Sequence, residues 1–63
     1  MTQKELLYIE DAIGHENTII DLCNDMISNL EDKDLVTFTK KQMKSHIEIK
    51  DNLICLLEDN INE

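Results

Sequence analysis

The sequence predicts an all-α fold: a two-helix antiparallel hairpin that pairs with a second copy of itself into a homodimeric four-helix bundle. Three observations carry this expectation. Apolar residues recur at alternating spacings of three and four through most of the chain, which is the period of a helix face. The rhythm breaks once, at the polar cluster Glu31-Asp32-Lys33-Asp34. The chain holds no proline and a single glycine among its 63 residues, which leaves helices uninterrupted and gives a sheet no turns to work with.

The first helix is expected over about residues 2–31. Thr2 and Glu5 have capping-box spacing, in which each side chain satisfies the other's free backbone amide. Leu6, Ile9, Ile13, Glu16, Ile20, Cys23, Ile27 and Leu30 form an unbroken seam. Ala12, Ile19 and Met26 add a further row, extended on the same side by Tyr8 and Leu22. A face this wide suits a four-helix bundle better than a thin two-stranded coil. Asp11, Thr18, Asp21, Asn24 and Asp25 occupy the opposite face.

The turn is expected at about 31–34, with Asp34 or Asp32 capping the second helix. That helix is expected over about residues 35–61. Its seam reads Leu35, Thr39, Gln42, His46, Ile49, Leu53 and Leu56. Val36, Met43, Ile47, Ile54, Leu57 and Ile61 widen it on one side, and Lys40, Lys41 and Lys44 give its first half a basic outer face. Acids crowd its end, Glu58 to Glu63, against the negative pole of the helix, so the last turn is expected to fray.

One domain, residues 1–63, is the sensible count. A core from so few residues rarely supplies more than ~3–5 kcal/mol of net stability. With only two cysteines and no zinc-type pair spacing, association is the remaining route to stability. Each helix of about 28 residues is ~42 Å long at 1.5 Å per residue. A lone hairpin of that length leaves much of its apolar stripe wet, and two hairpins packed together bury it.

Charge narrows the function. The formal net charge is −8, which repels nucleic-acid phosphates and anionic lipid headgroups. A basic partner, a cation or simple solubility fits it better. No run approaches the ~18 apolar residues of a membrane span. Residues 1–5 show no basic region leading into an apolar stretch, so no secretory signal is read and cytoplasmic synthesis is expected. No nucleophile–base pair, phosphate-binding glycine loop or Glu-x-x-His element appears, so no catalytic residues are assigned.

The sharpest constellation is a polar layer in the middle of the seam. If the chain folds back at the acidic turn, residues whose numbers sum to about 62 face each other. Glu16 and His46 satisfy that sum. One reading is a buried ion pair or hydrogen bond that fixes register, with Gln42 and Lys50 one turn to either side in the same layer. It needs no cofactor. The other is metal binding by Glu16 and His46, since inward carboxylates and imidazoles on facing helices are how bundle cores hold iron or another divalent transition metal. Lys50 favours the first, because a cation there competes with a metal ion. Asp11 and His15 share a helix flank at a spacing that can hold a metal, but as two ligands on a solvated flank they read as surface residues. Cys23 reads as a small core residue and Cys55 as an outer thiol, too far apart along the axis for a disulfide. Gly14 reads as a surface glycine in mid-helix.

The residues Thr2-Gln3-Lys4-Glu5-Leu6-Leu7-Tyr8-Ile9-Glu10-Asp11-Ala12-Ile13-Gly14-His15-Glu16 resemble the opening of small ferritin-like spore-coat (coat-F-like) proteins of spore-forming bacteria. The acidic turn Glu31–Leu35 and the stretch Lys44-Ser45-His46-Ile47-Glu48-Ile49-Lys50 are similar to the rest of that pattern more loosely. The resemblance implies a half-ferritin-like hairpin that pairs into a bundle, with Glu16 and His46 at its ligand positions. It also implies other spore-coat proteins as partners and the spore coat as a location. Ferritin-like second helices present Glu-x-x-His. Here the frames are Met43-x-x-His46 and His46-x-x-Ile49, each with one apolar member. The leading expectation is therefore a non-catalytic structural or interaction protein. The alternatives are a metal-binding mini-ferritin and a small acidic adaptor that binds a basic partner.

Overall fold

The computed structural model describes residues 1–61. Helix α1 spans Gln3–Asn29 and helix α2 spans Lys33–Ile61. The two run antiparallel, and no strand occurs among the described residues. The hairpin is a rod: its Cα atoms extend 47 × 14 × 11 Å. The radius of gyration is 14.5 Å, against about 10.6 Å for a compact domain of this length.

Local chemistry sets the ends of the helices. The Thr2 amide donates to Glu5 Oε1 at 2.8 Å and the Glu5 amide donates to Thr2 Oγ1 at 3.1 Å, a complete capping box. The backbone amide and the hydroxyl of Thr2 hold the Glu5 carboxyl below its usual range. α1 closes with Leu30 in extended conformation, its amide still bonded to the Met26 carbonyl at 2.8 Å. Ser28 and Asn29 fold their side chains back onto the Asn24 and Asp25 carbonyls, one turn earlier. No described residue takes positive φ, which is why the reversal needs no glycine.

The turn is shorter and earlier than expected. Between the helices lie only Leu30, Glu31 and Asp32, in place of the expected residues 31–34. The cause is the cap. Asp32 Oδ1 accepts from the amides of Asp34 and Leu35 at 2.9 and 3.0 Å, and its carbonyl accepts from Val36. Lys33 and Asp34 thereby join the helix. At the far end α2 continues through Ile61, with the Asn60 side chain donating to the Leu56 carbonyl. The fraying expected of the acidic end falls partly on Asn62 and Glu63, which lie outside the described residues.

The α1 seam packs as the spacing predicts, with Leu6, Ile9, Ile13, Glu16, Ile20, Cys23, Ile27 and Leu30 all half-buried or buried. The α2 seam differs. The residues turned to α1 are Val36, Thr39, Met43, His46, Lys50, Leu53 and Leu57, while Leu35, Gln42, Ile49 and Leu56 are exposed. Both flanking rows of α2 are mostly apolar, and one facing helix can cover only two of three rows. The row left out lies on the same side as Tyr8, Leu22 and Met26 of α1, and together they form one exposed apolar face, while Leu7 and Ile47 are exposed elsewhere on the rod. Among the described residues only Cys23, at 6%, and Thr39, at 4% exposure, are buried. The Thr39 hydroxyl is satisfied by the Leu35 carbonyl at 2.8 Å.

Candidate functional site

Halfway along both helices the apolar seam is interrupted. α1 is centred on residue 16 and α2 on residue 47, so Glu16 and His46 meet at the waist of the rod. His46 Nδ1 lies 2.5 Å from Glu16 Oε2. A proton on Nδ1, present in the imidazolium and in one neutral tautomer, donates to the carboxylate. The side chains are 26% and 15% exposed, so the pair is largely withdrawn from water, and such a charge-assisted bond is among the stronger ones available. Among the described residues it is the sole side-chain hydrogen bond between the helices. Gln42 and Lys50, expected in the same layer, make no hydrogen bond or ion pair among the described residues. Gln42 is exposed and Lys50 is half-buried in the α2 seam.

His46 also forms part of the floor of a groove. Cys23 and Thr39 complete the floor, and Ile19, Met26, Phe38 and Gln42 form the walls. The groove holds about 240 Å³, below the ~300–1,000 Å³ typical of small-molecule sites. Its walls belong to the uncovered apolar face: Leu22, Met26, Leu35, Phe38, Ile49 and Leu56 are all exposed. Tyr8 continues the face toward the termini, with Lys4 Nζ 5.8 Å above its ring. The sequence rhythm marked the α1 half of this face. On α2 the rhythm assigned Leu35, Gln42, Ile49 and Leu56 to the seam against α1, whereas they line this open face, and it left Phe38 out.

The other candidates lie apart from this layer. Asp11 and His15 are exposed on α1. Cys23 is a buried free thiol and Cys55 an exposed one. Gly14 has open space where a Cβ would stand, and its carbonyl accepts from Thr18 Oγ1.

The donor set of the hairpin does not fit the metal site that a ferritin-like bundle implies. One carboxylate and one imidazole are present, and Nδ1 of that imidazole is engaged by the carboxylate itself. The α2 neighbours of His46 on this face are Met43 and Lys50, a thioether and a cation. Among the described residues no group of three or more His, Cys, Asp or Glu stands together to hold an ion. Among the described residues no helix is long and apolar enough to cross a membrane.

Comparison with known proteins finds no matching family model, no matching curated protein and no matching solved structure.

Proposed function

We propose that this chain is a non-catalytic structural protein that works as a homodimeric four-helix bundle, with Glu16 and His46 serving as a register-fixing pair. The observation that carries the reading is the uncovered apolar face. The hairpin exposes 4961 Å², against about 4,200 Å² for a compact protein of 7.4 kDa. A compact dimer exposes about 7,000 Å² on the same scaling, while two separate hairpins expose twice 4961 Å². Pairing therefore buries roughly 2,900 Å², within the range of obligate homodimers. The likeness of residues 2–16 to coat-F-like proteins supports a place among spore-coat proteins, a setting in which packing rather than chemistry is the task.

Sedimentation equilibrium tests the assembly. The expected mass is twice 7.4 kDa at micromolar concentration. A monomer that melts cooperatively at tens of micromolar overturns the reading. Transcript measurement tests the setting: expression in vegetative cells with none during sporulation removes the spore-coat role.

A further inference from the structure

The charge on this rod is divided along its length. Take the Glu16–His46 waist as the boundary. The turn half, residues 17–45, has five acids and four lysines, a net charge of −1. The terminal half, residues 1–16 and 46–63, has nine acids and two lysines, a net charge of −7. A second copy can cover the apolar face in two ways that respect two-fold symmetry. With the turns at the same end, the two −7 halves lie side by side. With the turns at opposite ends, each −7 half lies beside a −1 half.

The residues bordering the open face sharpen the choice. On α1 these are Lys4, Asp11, Thr18 and Asp25, and on α2 they are Asp34, Lys41, Glu48 and Cys55, all exposed. With turns together, α1 of one copy lies against α2 of the other. That stacking sets Asp11 within three residues, about 4.5 Å of axial rise, of the partner's Glu48. It sets Asp25 equally close to the partner's Asp34. Symmetry repeats both like-charge encounters. With turns apart, α1 lies against α1 and α2 against α2. Lys4 then comes within three residues of the partner's Asp25, and Lys41 within three residues of the partner's Glu48, each twice. The remaining border pairs in that arrangement, Asp11 with the partner's Thr18 and Asp34 with the partner's Cys55, oppose no like charges.

We infer that the two hairpins pack with their turns at opposite ends, their Glu16–His46 layers meeting at the two-fold axis. This rests on the homodimer proposed above and adds its topology. The apolar rows allow either arrangement, and the border charges select one. The cross-chain Lys41–Glu48 pair is a specific consequence, because residues seven apart on one helix stand two turns from each other within a chain.

Spin labels on the turn decide the matter. Glu31→Cys in a Cys23→Ala, Cys55→Ser background carries a nitroxide 15 residues from the waist. With turns at opposite ends the labels are separated by about 45 Å along the axis, at 1.5 Å per residue. With turns together the axial separation vanishes, and a distance below about 20 Å overturns the inference while leaving the dimer intact. Absence of any dipolar coupling together with a monomeric mass overturns the dimer itself. A second measurement reads the border pair. Lys41→Glu weakens dimerisation by about three- to tenfold, as expected for two exposed ion pairs turned to repulsion, and Lys41→Glu with Glu48→Lys restores it. Failure of that restoration counts against the arrangement.

Discussion

Phe38→Ala reports most directly on whether the open face is an interface. Phe38 is 59% exposed in the hairpin and forms a wall of the groove. Complete burial of a phenylalanine side chain contributes about 1.5–3 kcal/mol. The hairpin realises less than half of that, so pairing adds about 1–2 kcal/mol for each copy. Both copies lose the ring, and the dimer is expected to weaken by about 2–4 kcal/mol, a rise in Kd of roughly 30- to 1,000-fold. Ile47 supplies the control. It is 39% exposed and stands nine residues from Phe38, half a rotation away on α2. Ile47→Ala is expected to lower hairpin stability slightly and leave Kd within a few-fold of wild type. Sedimentation equilibrium across a micromolar concentration series measures both. Equal Kd values for wild type and Phe38→Ala, or a larger effect from Ile47→Ala, refute the assignment of this face.

Three further outcomes are expected. His46→Leu alone destabilises by about 3 kcal/mol, since Glu16 is left withdrawn from water without a partner, whereas Glu16→Leu with His46→Leu is neutral or stabilising; urea melts of the single and double variants test this, and zinc or ferrous iron should raise Tm no more in wild type than in the double variant. Gly14→Ala is expected to stabilise by about 0.5–1 kcal/mol, because the added methyl meets open space at a helical position without positive φ; a drop in Tm would contradict it. The capping box contributes a pH dependence confined to the first turn. The Glu5 carboxyl is held below its ordinary range by Thr2, so its contribution is present above that range and lost as pH falls through the lowered value. The Thr2 and Glu5 amide resonances should shift together in that acidic window, and Thr2→Ala should abolish the joint transition.

The features legible in the sequence are those set by local chemistry or by a single row of side chains. The Thr2–Glu5 cap is a four-residue pattern with one favourable geometry, and it forms as read. The α1 seam has acids and amides on its far side, so only one rotation hides its apolar residues. The meeting of Glu16 and His46 depends on the centre of the turn: residues 30–32 make facing residues sum to 62, whereas a turn over 31–34 sums to 65 and sets Glu16 opposite Ile49. The α2 seam was not decidable in the same way. Thr39, His46 and Leu53 lie between two rows, one of Leu35, Gln42, Ile49 and Leu56, the other of Val36, Met43, Lys50 and Leu57. Each row has three apolar members and one polar one, so periodicity gives them equal weight. Rotation is settled by a non-local term, the merging of the leftover row with Ile19, Leu22 and Met26 of α1. Phe38 shares its row with Ser45 and Asn52, so periodicity gives that row no apolar weight. The role of Asp32 as cap depended on whether its carboxylate or that of Asp34 reached the free amides first in space, and spacing alone left both open.

The single polar tie between the helices sits at the waist of the rod, and the clasp at each tip is intrahelical or confined to the turn. Thermal opening should therefore start at the extremities and advance inward, like a splint bound at its middle. Deuterium uptake would be slowest in the amides around residues 16 and 46 and faster with distance from them. At low occupancy of the pair the chain would lose the one point that keeps either strand from sliding past the other by a heptad, a slip that sets Glu16 against Thr39 or Leu53 in place of His46.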